Sequence, residues 1–178
     1  MCPDSSVLLD PGSIAFLTSE GFEGFRSVAQ LYADQCAEIP NLRGIFAIAR
    51  KSLDPPQFLA KSTAARFRDT DPTLPLDELV RLWVPSAQVL CYGRARGPGV
   101  RTLLKQRVKR YLRFGHGRHV AHWGGRAIWQ LRDAGALLVA WKPTPKDDPA
   151  RAEGAYQDRF ERHYGALPFA NLKQDRDE

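Results

Sequence analysis

Between Leu79 and Arg132 the chain carries 12 Lys or Arg residues and no Asp or Glu. Arg94, Arg96, Arg101, Lys105, Arg107, Arg110, Arg113 and Arg118 belong to this stretch. A solvated helix ordinarily mixes signs and gains pairs four residues apart. A one-signed surface repels itself, so a polyanion is its natural counter-charge; the alternative is an ordinary solvated face balanced by acids elsewhere. Cys91 sits among Arg94, Arg96 and Arg107, a setting that would favour its thiolate as a nucleophile or redox sensor. The other reading of Cys91 is a small apolar residue on a central strand. His116, His119 and His122 recur every third position, and in a helix two such imidazoles could share a metal. Gly115, Gly117, Gly124 and Gly125 predict a loop instead, where His122 suits phosphate contact or proton transfer. Trp123 and Trp129 flank Gly124-Gly125-Arg126 and could stack on bases. Trp129 lies in an apolar run and reads as core, which leaves Trp123 as the exposed ring.

The elements that must hold these residues follow from the pattern. Gln88–Tyr92 reads as a short strand ended by Gly93 and a turn with Gly97, Pro98 and Gly99. A helix follows, because Leu103, Leu104, Val108, Tyr111 and Leu112 recur at spacings of three and four. Upstream, residues 1–18 read as an irregular arm broken by Pro3, Pro11 and Gly12. Ser19 can cap a helix with Phe22, Phe25, Val28, Leu31 and Tyr32 on one face, ending near Ala37 before Pro40. Gly44–Arg50 is apolar on nearly every residue, as a strand covered on both faces would be.

Residues 51–87 are punctuated by Pro55, Pro56, Pro72, Pro75 and Pro85, with a short strand expected at Phe58–Ala60 and a helix at Leu76–Trp83. Phe58, Phe67, Leu79 and Trp83 give this segment core material, so it is expected to be a compact insertion between two strands. Ala127–Leu131 and Leu137–Trp141 read as strands. A last helix spans Ala150 to Tyr164, closed by Gly165, after which Leu167-Pro168-Phe169-Ala170-Asn171 packs back. The polar tail 173–178 is expected to fray.

At 178 residues, 43% apolar and 26% charged, the chain suits one soluble domain with a sizeable core. The net charge of +6 fits an anionic partner, and 12 of the 26 basic residues lie in the acid-free stretch, so the excess is local. Cys2, Cys36 and Cys91 are odd in number and lack a CxxC, which argues against a disulfide framework or zinc knuckle. The start Met1-Cys2-Pro3-Asp4 does not read as a signal peptide, and no run approaches the roughly 18 apolar residues of a membrane span. A cytoplasmic protein without membrane association is expected.

Three features in this order resemble the GIY-YIG endonuclease superfamily. Gly44-Ile45-Phe46 is similar to its first signature strand. Val89-Leu90-Cys91-Tyr92-Gly93-Arg94-Ala95, followed by Leu104-Lys105-Gln106-Arg107-Val108, is similar to its second strand, turn and arginine-bearing helix. Glu153 through Phe160, with Asn171 downstream, is similar to its acidic helix and terminal asparagine. The resemblance covers residues 42–172, with 1–41 as an N-terminal arm and helix and 51–87 as the insertion.

It implies an α+β fold: a small, mainly antiparallel sheet from residues near 44–50, 88–92, 127–131 and 137–141, with helices packed on it. It also implies a nuclease cutting DNA phosphodiesters, with Mg²⁺ or Mn²⁺ held by Glu153, Arg107 on the phosphate and Asn171 fixing the site by hydrogen bonds. Phe46 and Cys91 stand where the two signature tyrosines would be, so neither offers a hydroxyl to move a proton. Tyr92 is adjacent, but strand alternation turns it away unless a bulge re-aims it. Three functions are therefore carried forward: a nuclease, an inactive nucleic-acid-binding relative, and the same scaffold used on a small anionic substrate.

Overall fold

The strand Gly44–Ala49 has all six side chains buried, and the sheet is built around it. The computed structural model describes residues 9–96 and 101–172. Residues 1–8 of the expected N-terminal arm, the turn at Gly97, Pro98 and Gly99, and the polar tail lie outside the described residues. In chain order the elements are α1 (Ile14–Ser19), β1 (Glu23–Ser27), α2 (Val28–Ala33), β2 (Gly44–Ala49), α3 (Leu76–Leu82), β3 (Val89–Ala95), α4 (Leu104–Gly115), β4 (Leu138–Pro143) and α5 (Pro149–Tyr164). The fold is α+β. Among the described residues four strands run in the order β1-β4-β2-β3, and all their pairings are antiparallel.

Alternation along the strands makes two cores. Phe46, Ile48 and Cys91 face α4, whose Leu104, Val108, Tyr111 and Leu112 form the apolar stripe expected from their spacing. Ile45, Ala47, Val89 and Tyr92 face the other way, against Phe16 and Leu17 of α1 and Tyr156 and Phe160 of α5. Phe46 and Gly93 are cross-strand partners. A Cβ on Gly93 would lie 2.3 Å from the Phe46 ring, so only glycine admits that ring. Gly93 therefore continues the strand to Ala95 and does not end it.

Helix α5 is delimited by chemistry at both ends. The Asp148 side chain accepts from Ala150 N–H at 3.2 Å, Pro149 opens the first turn, and Gly165 closes the last with φ of 72°.

Other expectations are corrected. The expected irregular arm contains a helix, α1, capped by Ser13 at Ile14–Ser19, and the single helix expected from Ser19 to Ala37 is instead β1 followed by the short α2. Gly21 and Gly24 both take positive φ there, and each would cost about 1 kcal/mol inside a helix. Ser27 restarts the helix through a capping box with Gln30. Ala127–Leu131 is not a strand; Arg126–Gln130 is a fully buried 3-10 turn. Both edges of β4 are already taken, by β1 and β2, and a short apolar run alone does not distinguish strand from helix. The expected strand at Phe58–Ala60 reduces to one isolated bridge, Phe58 to Leu131.

The long connection from β2 to β3 is stitched to the core. The Gln130 amide donates to Leu59 O at 3.2 Å and Leu74 O at 3.0 Å and accepts from Leu74 N–H at 2.7 Å. Thr63 Oγ1 donates to Gly115 O at 2.8 Å, and Arg50 pairs with Asp133 at 2.7 Å. Among the described residues no helix is long and apolar enough to cross a membrane.

Candidate functional site

Strand β3 pairs with β2 on one side only. Its other edge is clipped by the chain that returns after α5. Ala170 N–H donates to Leu90 O, and the Asn171 carboxamide accepts from Tyr92 N–H and donates to Tyr92 O, all at 2.8 Å. Beside this clip a cavity of about 550 Å³ opens between β3, α4 and α5. Phe46, Cys91, Arg94, Arg107, His122, Trp123, Glu153 and Asn171 all line it.

Arg107 reaches the cavity because it borders the buried stripe of α4, one turn from Leu104 and from Tyr111, which also lines the cavity. Its Nε is buried without a hydrogen-bond partner. Burial pushes the guanidinium pKa down, the neighbouring cations Arg110 and Arg94 push it the same way, and Glu153 opposes them. Arg94 Nε is likewise buried without a partner. Two desolvated donors on one wall have the chemistry of an anion-binding surface.

Glu153 faces the same space from α5 at 8% exposure. Its Oε2 accepts from Arg94 Nη1 at 2.7 Å, and its Oε1 from Gln157 Nε2 at 3.3 Å. Among the described residues no three His, Cys, Asp or Glu side chains gather as a metal cluster. One hard carboxylate fits a divalent ion such as Mg²⁺ only where water and substrate phosphate complete the coordination, and only when Arg94 turns aside.

His122 closes the cavity over Tyr111, ring centroids 4.9 Å apart. Its Nε2–H donates to Gly124 O at 2.9 Å. A carbonyl can only accept, so this bond assigns the tautomer and leaves Nδ1 as a lone pair. Nδ1 is buried without a partner. Burial, with Arg107 and Arg110 adding to it, lowers the His122 pKa to about 3 against the Gly124 bond, so the ring is neutral.

Tyr92 touches the cavity wall, but its ring lies on the opposite face of the sheet, stacked on Tyr156 at 5.5 Å. The irregularity in β3 falls between its pairings with Ile48 and Ala49 and leaves Tyr92 opposite Ala47. Its hydroxyl is buried without a partner, and burial pushes its pKa well up. No proton acceptor for the cavity comes from it. Cys91, 4% exposed, packs on the α4 face beneath Tyr111 and beside Phe46, as a small core residue does.

The cationic surface divides. Arg94, Arg107 and Trp123 line the cavity, and Arg110 acts on Arg107 from one turn along. Lys105, Lys109 and Arg113 recur every fourth residue and form a separate stripe toward α2. There Lys109 donates to Gln35 at 2.8 Å, and Lys105 and Lys109 act on Cys36. Arg96, Arg101 and Arg118 are exposed and line no part of the cavity. His116 stacks on Tyr32 at 3.6 Å, away from His122, so the three histidines do not gather.

Gln157, Tyr111 and Phe67 line the cavity without having been assigned to a site from sequence. Gln157 lies one turn beyond Glu153, and Tyr111 one turn beyond Arg107, so i,i+4 spacing pointed to both. Phe67 comes from the insertion, where its apolar ring read as core material.

No family model, curated protein or solved structure matches this chain.

Proposed function

We propose that this chain is a GIY-YIG-like nuclease domain that hydrolyses DNA phosphodiesters with a divalent ion at Glu153. One observation carries this: Arg107, Glu153 and Asn171, far apart in sequence, line a single cavity together with Phe46 and Cys91. Arg107 and Arg94 supply desolvated donors for the phosphate and for the charge that grows on it during attack. Gln157 orients the Glu153 carboxylate. Mg²⁺ or Mn²⁺, when bound there, would neutralise a phosphate oxygen.

Phe46 and Cys91 have no hydroxyl, and the Tyr92 hydroxyl faces the other core, so the proton of an attacking water needs another acceptor. His122 Nδ1 is the buried lone pair on this wall, and an anionic phosphate beside it would raise its proton affinity. Asn171 takes no part in chemistry; it holds the β3 edge in place. Free thiols at Cys36 and Cys91 suit a reducing, cytoplasmic setting.

The Arg94–Glu153 ion pair favours a second reading, a relative that binds DNA without cutting it, because that pair occupies the carboxylate a metal would need. Supercoiled plasmid with Mg²⁺ separates the two. Hydrolysis gives relaxed circles with the wild type and none with Glu153→Ala. Salt-sensitive binding with no relaxed circles at all would leave only the second reading.

A further inference from the structure

The cavity has an aromatic wall that phosphate chemistry does not use. Phe67 and Trp123 both line it, their ring centroids 6.1 Å apart and inclined at 35°. Both are only half-buried. Trp123 rests on the guanidinium of Arg126 at 4.5 Å, and that arginine is itself buried, so the indole has a fixed support.

Phe67 is presented with equal care. Phe67 and Thr70 exchange both backbone hydrogen bonds, at 3.0 and 2.9 Å, around Arg68 and Asp69. Both intervening residues take positive φ, 47° and 62°, the conformation of a tight two-residue hairpin turn. The base of this tip is tied to α4 by Ala65 N–H donating to Phe114 O at 2.9 Å. Its charges are balanced within the tip: Arg68 lies over the Phe67 ring at 5.2 Å, and Arg66 donates to Asp69 O and faces Asp71 at 3.8 Å.

A pair of rings on fixed supports, set into the same cavity as two arginines whose Nε donors are buried, has the composition of a single-strand site. There cations track the backbone while rings stack on bases, which is sequence-tolerant because every base has a π-face. A base inside a duplex is already stacked on both sides and offers no face to such a wall.

We propose that Phe67 and Trp123 form a stacking platform for an unpaired base of a DNA strand whose phosphate lies against Arg107 and Arg94. The domain then prefers single-stranded or frayed DNA to intact duplex. The insertion is what supplies this preference, through Phe67. The inference rests on the cavity being a phosphate site, as proposed above.

Binding of short fluorescent DNA strands, read by polarisation at low salt, tests it without requiring cleavage. The strands are a plain single strand, the same strand with a central abasic residue, and a blunt duplex. The plain strand should bind the wild type at least about fivefold tighter than the abasic strand, and tighter than the duplex. That gap should close in Trp123→Ala and in Phe67→Ala. The second variant changes a half-buried ring on a hairpin tip and guards against simple unfolding of the first. Equal affinity for plain and abasic strands would overturn the platform while leaving the phosphate site intact. Absence of binding to all three would overturn the phosphate site and the platform with it.

Discussion

The carboxamide of Asn171 and the peptide of Tyr92 bond to each other as two strands would. Asn171 Oδ1 accepts from Tyr92 N–H and Nδ2 donates to Tyr92 O, both at 2.8 Å. A side chain thereby replaces the neighbour that edge strand β3 lacks, and it fixes the strand carrying Cys91 and Arg94. Asn171→Ala leaves both backbone groups short of a partner and should cost about 1–3 kcal/mol. Asn171→Asp should cost as much, because a carboxylate cannot donate to Tyr92 O. Chemical denaturation measures both, and unchanged midpoints would contradict this role.

Arg107 is held where burial and two neighbouring arginines disfavour its charge. Function and stability should therefore separate at this position. Arg107→Met should weaken DNA binding and lower the slope of log affinity against log salt by about one. The same change should leave the fold as stable or raise it by about 1 kcal/mol, since it removes a buried cation. Loss of stability and of DNA binding together would mean that Arg107 is a structural residue.

In the proposed site the Arg94–Glu153 pair would compete with a metal ion for one carboxylate. Arg94→Gln should tighten Mn²⁺ binding in the absence of DNA, while Glu153→Gln should abolish it. Manganese titration followed by electron paramagnetic resonance measures both. Equal affinity in wild type and Arg94→Gln would show that the ion pair does not guard the carboxylate.

His122 gives stability a pH dependence of known sign. Its pKa falls to about 3 in the fold, against about 6.5 in an unfolded chain. Between those values the unfolded chain binds a proton that the folded one rejects, so stability rises with pH. The contribution is fully present above about pH 6.5 and is lost progressively as pH falls toward 3, by at most about 1.4 kcal/mol per pH unit. His122→Gln keeps an amide for Gly124 O and should flatten this window in denaturation curves taken across it. A wild-type curve already flat between pH 4 and 6.5, values chosen inside that window, would contradict a buried neutral histidine.

The parts legible in the sequence were those that local pattern determines. The α4 stripe at Leu104, Val108, Tyr111 and Leu112 and the fully apolar β2 each follow from one period. The opposed faces of Cys91 and Tyr92 follow from strand alternation. The N-terminal helix and the Ala127–Leu131 strand were misread because sheet-edge occupancy is set by pairing at long range: Glu23–Ser27 fills the edge beside β4. Apolar spacing around Phe22 and Phe25 could not outweigh Gly21 and Gly24. Arg107, Glu153 and Asn171 line one cavity, and in the sequence only the order of their motifs relates them. The partner that masks Glu153, the lone pair of His122 and the approach of Phe67 depend on side-chain orientation across the fold, which no spacing encodes.

Cleavage of a labelled DNA strand, with metal supplied or chelated, decides whether this cavity hydrolyses phosphodiesters. The wild type, Glu153→Ala and Arg107→Met are compared side by side. A nuclease built on this cavity cuts only as wild type and only with metal, while Glu153→Ala still binds the strand. Binding by the wild type without any cut, or cutting that persists in both variants, would contradict it.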